Sequence, residues 1–209
     1  MTTDDMVAKE VAEARTSNYP ISSQILNRWS PRAMTGEPLG DDELFALFEA
    51  ARWAPSSGNG QPWRFVVARR QDEEKFTKMF DLLAEGNQAW CDKASALVIV
   101  LSNTMTGWKG AFERTHAFCT GMATENLAIE GAHRGLVVHG IGGFDYDRAK
   151  SEFGVPDDHE VMAMYVIGKR ASVESLPEKY QEREIPSDRM PLSEVVYDGA
   201  FGTAYDQLK

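Results

Sequence analysis

The sequence contains little cysteine, no excess of positive charge and no long apolar run. Only two of its 209 residues are cysteines, and neither Cys91 nor Cys119 has CxxC or metal-ligand spacing. We expect both to be reduced, which favours a cytoplasmic location. The formal net charge of -10 argues against nucleic acid or an anionic membrane as a partner. Any anionic ligand would therefore need a local cluster of basic side chains.

Targeting and nucleotide-binding motifs are also absent. No apolar run reaches the roughly 18 residues of a transmembrane helix, and residues 1–17 lack the apolar segment of a secretory signal. The glycines near residue 140 lack Gly-x-Gly-x-x-Gly spacing, and no Walker A motif occurs. The sequence indicates no metal site at the four histidines.

Helical and strand patterns alternate along the chain, which indicates an α/β or α+β fold with one sheet. Apolar spacing predicts helices over residues 20–27, 41–53, 72–85, 112–134 and 145–153, and strands over 64–70, 96–102, 136–139 and 161–168. Residues 1–18 have a thin apolar face and are predicted to form an N-terminal arm. Residues 19–209 are predicted to form a single domain, with a polar C-terminal extension from about residue 171.

A stiff polar loop joins the second helix to the first strand. Pro55 and Pro62 restrict its backbone, and residues 56–61 carry no aliphatic side chain. The loop is either a plain polar connection, which is the common role of such segments, or a surface that hydrogen-bonds a flat polar ligand.

The segment Arg28-Trp29-Ser30-Pro31-Arg32 has the residue types of an anion site. Pro31 favours an extended backbone at Ser30, so Arg28, Ser30 and Arg32 should point to one side. Two guanidinium groups and a hydroxyl suit a phosphate. The alternative is that the two arginines are solvated or form salt bridges.

The run Gly140-Ile141-Gly142-Gly143-Phe144-Asp145 follows the third predicted strand. Its three glycines allow a close approach to a flat ligand, or a tight turn in which Asp145 caps the next helix. The two interpretations are compatible.

Taken in chain order, these three segments resemble the FMN-binding segments of the nitroreductase family. Arg189-x-Pro191-Leu192 is similar to the C-terminal phosphate-contacting element of that family, and the resemblance covers roughly residues 20–198. It implies an α+β sandwich whose central sheet is mixed but mostly antiparallel and is flanked by helices. It also implies a homodimer with FMN at the interface and a C-terminal tail that docks on the partner subunit.

The resemblance assigns roles to individual residues. Arg28, Ser30 and Arg189 would hold the FMN phosphate, Arg32 would reach the O2/N1 edge of the flavin, and Asn59 would also hydrogen-bond the flavin. Other predicted contacts are Trp29, Gln61, Pro55, Ser56 and Ser57 (the last three from the other subunit), and Gly140, Ile141, Gly142 and Gly143 near N5.

Departures from the family pattern occur near N5 and near the phosphate. Some members have proline at the position of Gly140 and an acid at that of Gly142, so the N5 side should be more open here. Ser187 stands where a second basic residue is frequent. His139 is either a proton donor to a reduced acceptor or a structural histidine.

The implied activity is that of an FMN-dependent NAD(P)H oxidoreductase in which flavin N5 carries the chemistry. NADPH or NADH would deliver hydride to N5 and leave, and a small planar acceptor such as a nitroaromatic or quinone would then be reduced. Alternatives on the same fold are a dehalogenase, an enal or azo reductase, and a non-catalytic flavin-binding protein. Trp90 and Trp108 either shape the acceptor pocket or pack in the core or a lid.

Overall fold

The computed structural model describes residues 6–208, so the predictions for residues 1–5 and 209 lie outside it. Its strands are β1 Trp63–Arg69, β2 Ala96–Asn103, β3 Leu136–Ile141 and β4 His159–Lys169. They form one sheet in the order β1-β2-β4-β3, and every pairing among the described residues is antiparallel. The predicted α+β class with a mostly antiparallel sheet is confirmed. The parallel component of the predicted mixed sheet does not occur within residues 6–208.

Helices connect these strands and flank the sheet. They are α1 Lys9–Ala12, α2 Ser23–Asn27, α3 Asp41–Arg52, α4 Glu73–Phe80, α5 Glu85–Cys91, α6 His116–His133, α7 Tyr146–Glu152 and α8 Glu178–Gln181. No helix in the described part of the chain is long and apolar enough to cross a membrane.

Strand β2 lies between β1 and β4 and is covered on both faces. Residues 96–101 are all buried, as their unbroken apolar run predicts. Since side chains alternate along a strand, Leu97 and Ile99 pack with α4, α5 and α7, whereas Val98 and Val100 pack with α3 and α6. The sheet is therefore the middle layer of a sandwich with an apolar core on each face.

The long helix α6 approaches the sheet closely through a glycine. A Cβ atom added at Gly131 would lie 2.3 Å from Cγ2 of Val138 in β3, so only glycine fits there without movement. The small side chains of this segment predict such a central helix, and Ala123 and Leu127 are buried in its interface with the sheet.

The single helix predicted over residues 72–85 is wrong, because the chain breaks between α4 and α5. Leu83 bridges to Phe144, the N–H of Ala84 donates to the carbonyl of Gly143 at 3.1 Å, and Leu82 accepts from Asp145 at 2.9 Å. These long-range bonds outweigh local helix propensity.

Two other element boundaries differ from the predictions. Strand β3 runs on from the predicted end at His139 through Ile141, because Gly140 and Ile141 pair with Tyr165 and Met164 of β4. Helix α6 starts at His116 rather than 112, because the N–H of Glu113 is held by the carbonyl of Thr104 at 2.8 Å.

The described part of the N-terminal arm packs on the rest of the chain. Val11 is buried, the N–H of Ala8 donates to Oδ1 of Asn27 at 2.8 Å, and Glu10 forms an ion pair with Arg170. By contrast, the C-terminal extension leaves large apolar side chains in solvent, with Phe201 93% exposed.

Candidate functional site

The segment that follows α2 sends its two arginines to different partners. Nε of Arg28 donates to Oε1 of Glu125 on α6 at 3.1 Å. Nη1 of Arg32 donates to the carbonyl of Arg183 at 3.2 Å, and its guanidinium lies over the ring of buried Trp90 at 5.6 Å. The guanidinium groups of Arg28 and Arg32 therefore contact different parts of the fold.

The middle of this segment is more enclosed. Trp29 is buried beneath the guanidinium of Arg170, which lies 4.7 Å from its ring centre. Ser30 is half-buried between Trp29 and buried Pro31. Trp29 therefore anchors the segment, while Ser30 stays partly accessible.

The carboxylate of Glu184 fixes the backbone at Arg32. Its Oε1 accepts from the N–H groups of Arg32 at 2.8 Å and Ala33 at 3.0 Å, and its Oε2 accepts from Arg32 at 3.0 Å. Oε2 also lies 3.9 Å from Nη1 of Arg32. Sequence reasoning missed Glu184, because nothing distinguishes it from the neighbouring charged residues of the C-terminal extension.

Arg28 and Arg189 line one cavity of about 480 Å³, and Arg15 lines it with them. The cavity lies between the N-terminal arm and the C-terminal extension, and Ser30 and Arg32 are not part of its wall. The structure thus brings together two of the three predicted phosphate contacts and adds an arginine that sequence reasoning missed. No motif marks Arg15 within the arm.

His139 supports the segment that carries Arg32. Its Nδ1 lies 3.0 Å from the carbonyl oxygen of Pro31, and its ring packs on Trp90 with 4.6 Å between centroids. Burial lowers the pKa of His139 to about 4, and the positive charge of Arg32 contributes. The ring is neutral near pH 7. A carbonyl can only accept, so the one ring proton is held at Nδ1, which favours the structural role over that of proton donor.

Hydrogen bonds within the polar loop before β1 fix the conformation of its backbone. The N–H of Gln61 donates to Oγ of Ser56 at 3.0 Å, and the N–H groups of Asn59 and Gly60 donate to the carbonyls of Ser56 and Ser57. Asn59 and Gln61 adopt positive φ values of 57° and 47°. Non-glycine residues rarely adopt this region, and such strain is concentrated at functional sites.

The loop exposes the groups that a ligand would need. Pro55, Ser57, Asn59 and Gln61 are exposed, and Ser56 is half-buried. Oγ of Ser57 donates to Oε2 of Glu113 at 3.0 Å. Hydrogen bonds from Thr115 and Ser57 hold the pKa of Glu113 below its usual range, so this carboxylate is charged near neutrality.

Gly140, near the end of β3, and Gly142 and Gly143, which follow it, have different neighbours. A Cβ at Gly140 would lie 3.1 Å from Cζ of Tyr165, and one at Gly143 would lie 2.7 Å from Nδ2 of Asn87. A Cβ at Gly142 would meet only the hydroxyl of Tyr146, at 3.8 Å. The flat neighbour of Gly140 is thus a tyrosine ring, and Gly142 leaves open space.

Two further predictions concern this turn. The side chain of Ile141 belongs to the core, so only its backbone is available to a ligand. The carboxylate of Asp145 accepts from the N–H of Arg148 at 2.9 Å, which confirms the predicted helix cap.

A serine and a histidine meet elsewhere in the fold without forming a nucleophilic site. Oγ of Ser102 lies 3.0 Å from Nδ1 of His116 and accepts a hydrogen bond from Thr120 at 2.8 Å. Ser102 is completely buried. No substrate can reach it, so this cluster is a structural network.

Comparison with known proteins identifies the family and supports the fold. The nitroreductase family model matches residues 25–89 and 82–169. A solved structure described as an oxidoreductase containing FMN is 40% identical, with a TM-score of 0.85 over 90% of this chain and 96% of that one.

Curated relatives extend over much of the chain. An uncharacterised 15.4 kDa protein of Mycolicibacterium smegmatis is 33% identical in an alignment of 150 positions that covers 66% of this chain and 97% of that protein. An NADH dehydrogenase of Thermus thermophilus is 26% identical in an alignment of 202 positions that covers 82% of this chain and 92% of that one. The protein described here belongs to the nitroreductase family.

Proposed function

We propose that this protein is an FMN-dependent NAD(P)H oxidoreductase that acts as a homodimer. Its relative in the solved structure contains FMN, and its Thermus thermophilus relative is named an NADH dehydrogenase. The observation that carries the proposal is the cavity lined by Arg28 and Arg189, a basic site in a protein of net charge -10.

The residues present fit the two ends of FMN. A phosphate monoester carries about two negative charges near neutrality and needs charge-assisted donors. Arg28 and Arg189 would supply them. The hydroxyl of Ser30, which the resemblance also assigns to the phosphate, lies outside the cavity wall in the single chain. At the ring, the open space at Gly142 and the exposed amide of Asn59 would accept a flat polar heterocycle.

Arg32 has the properties of a group that stabilises negative charge on the flavin edge. Glu184 holds its backbone, and Trp90 and the carbonyl of Arg183 hold its guanidinium, so the cation is pre-positioned. A fixed charge of this kind stabilises developing anionic charge without reorganisation. His139 would keep the segment in place through Pro31.

Bound FMN would supply the redox chemistry, the transfer of hydride from NADH or NADPH to an acceptor. We propose a ping-pong cycle in which donor and acceptor use the same face in turn. The acceptor would be a small planar molecule, a nitroaromatic or a quinone, as the resemblance to the family implies; the missing side chain at Gly142 leaves more room beside it.

The homodimer would complete the site. Pro55, Ser56 and Ser57 would contact the flavin of the other subunit, and their loop is exposed or half-buried in the single chain. Large apolar side chains at Phe118 and Phe201 are 70% and 93% exposed. Burying them against a second copy would stabilise the dimer, with the C-terminal tail docked on the partner.

The proposal also includes a cytoplasmic location. Cys91 and Cys119 are free thiols and both are buried, in keeping with a reducing compartment.

Anaerobic stopped-flow spectroscopy tests this function. The purified protein should carry yellow FMN that is bleached by NADH or NADPH and recovers its colour when a nitroaromatic or quinone is added. Halogenated, enal and azo compounds in the acceptor panel test the specialised alternatives. Protein that stays colourless and does not bind added FMN would refute the proposal. Tight FMN binding without reduction by either nucleotide would instead indicate a non-catalytic flavin-binding protein.

A further inference from the structure

Arg15 joins three separate segments at the wall of the arginine cavity. Its Nε donates to the carbonyl of Ser187 at 2.9 Å. Its Nη1 donates to the carbonyls of Leu26 at 2.6 Å and Arg28 at 2.9 Å. One guanidinium from the N-terminal arm therefore holds the backbone of Arg28 beside the backbone that leads to Arg189.

The charges of this cluster are poorly compensated. Burial lowers the pKa of Arg15, and the positive charges of Arg189 and then Arg28 lower it further, against an opposing effect of Asp188. Arg28 forms an ion pair with Glu125. In the described part of the chain, Arg15 and Arg189 form no ion pair, and their guanidinium groups donate hydrogen bonds to uncharged acceptors.

Three guanidinium groups around one cavity favour the binding of an anion. Guanidinium groups that repel each other in a partly desolvated site raise the free energy of the empty protein, and a dianion removes that repulsion. The backbone carbonyls bound by Arg15 keep it from moving away. The same contacts that create the repulsion therefore prepare a site for phosphate.

We propose that Arg15 is a positioning residue of the FMN phosphate site, which aligns Arg28 and Arg189 and adds its own charge to theirs. This inference rests on the proposed function. On this inference the N-terminal arm is part of the cofactor site. Arg15 supplies a positive charge next to Ser187, which stands where a basic residue is frequent in the family.

The test compares FMN with riboflavin, which lacks the phosphate. Flavin-free full-length protein is titrated with each, using the wild type, Arg15→Met, Arg15→Lys and the control Lys9→Met. Lys9 is a solvent-exposed cation on the same arm. Arg15→Met should raise the Kd for FMN about tenfold or more while that for riboflavin changes less than about twofold. Arg15→Lys, which keeps the charge, should recover part of the loss, and Lys9→Met should match the wild type.

A second measurement does not depend on flavin. Inorganic phosphate should raise the Tm of the wild type and of Lys9→Met, and raise that of Arg15→Met much less. If Arg15→Met does not fold, Arg15→Lys carries the test with an increase of a few fold in the FMN Kd.

Two results would overturn the inference. Equal weakening of FMN and riboflavin would make Arg15 a purely structural residue, and unchanged affinity for FMN would place it outside the site. Failure of the wild type to bind FMN would refute the proposed function instead. The phosphate-induced change in Tm would then decide whether Arg15 belongs to an anion site.

Discussion

Replacing Glu184 with alanine should destabilise the fold, because one buried carboxylate holds two backbone N–H groups. The N–H of Arg32 lies 2.8 Å from Oε1 and that of Ala33 lies 3.0 Å from the same atom, and Ala33 is completely buried. Each buried donor left without a partner costs about 1–3 kcal/mol. We therefore expect a loss of about 3 kcal/mol, or roughly 10 °C in Tm for a chain of this size.

Urea denaturation followed by circular dichroism measures this loss. Glu184→Gln keeps one acceptor oxygen and should lose about half as much stability as Glu184→Ala. Glu182→Ala is the matched control, since Glu182 is an exposed acid two residues away. If Glu184→Ala stayed within about 0.5 kcal/mol of the control, the proposed role of this carboxylate would be refuted.

Two further predictions concern packing in the core and the pH dependence of folding stability. Gly131→Ala should cost about 1–2 kcal/mol in denaturation, because the new Cβ would lie 2.3 Å from Cγ2 of Val138. Gly121→Ala on the same helix meets no atom within 4 Å and should be neutral or stabilising; equal effects would contradict the packing. As the pH falls from 6.5 to about 4, the unfolded chain binds a proton at His139 before the folded protein does, so stability should fall by up to about 3 kcal/mol. His139→Asn should remove this loss and His133→Asn, at an exposed position, should retain it; matching pH profiles for wild type and His139→Asn would refute the prediction.

Local sequence pattern predicted most of the helices and strands, and the family resemblance implied their arrangement as a sandwich. The unbroken apolar run of β2 predicts burial on both faces, and the apolar face of α3 predicts packing on the sheet. The break between α4 and α5 could not be predicted in this way. It depends on hydrogen bonds from residues 82–84 to residues 143–145, which no local window contains.

In the candidate site, too, the features set by local sequence could be predicted and those set by long-range contacts could not. The exposed loop before β1 could be predicted, because prolines and small polar residues determine its character locally. Arg15 and Glu184 could not, because each is an isolated charge in a polar segment. Their contacts span 172 and 152 residues of sequence. The three glycines predict a close approach to a ligand or a tight turn, whereas the tyrosine neighbour of Gly140 comes from pairing with another strand.

The most direct test of the central claim is the ratio of the riboflavin Kd to the FMN Kd, measured by titrating flavin-free protein. The wild type should bind FMN about 100-fold or more tightly than riboflavin, because charge-assisted bonds to the phosphate add to the binding of the ring. Arg28→Ala should reduce this ratio at least about tenfold, whereas Arg134→Ala, at an exposed position on the helix end, should preserve it. Equal affinity of the wild type for the two flavins, or an unchanged ratio in Arg28→Ala, would contradict the assignment of the arginine cavity to the FMN phosphate.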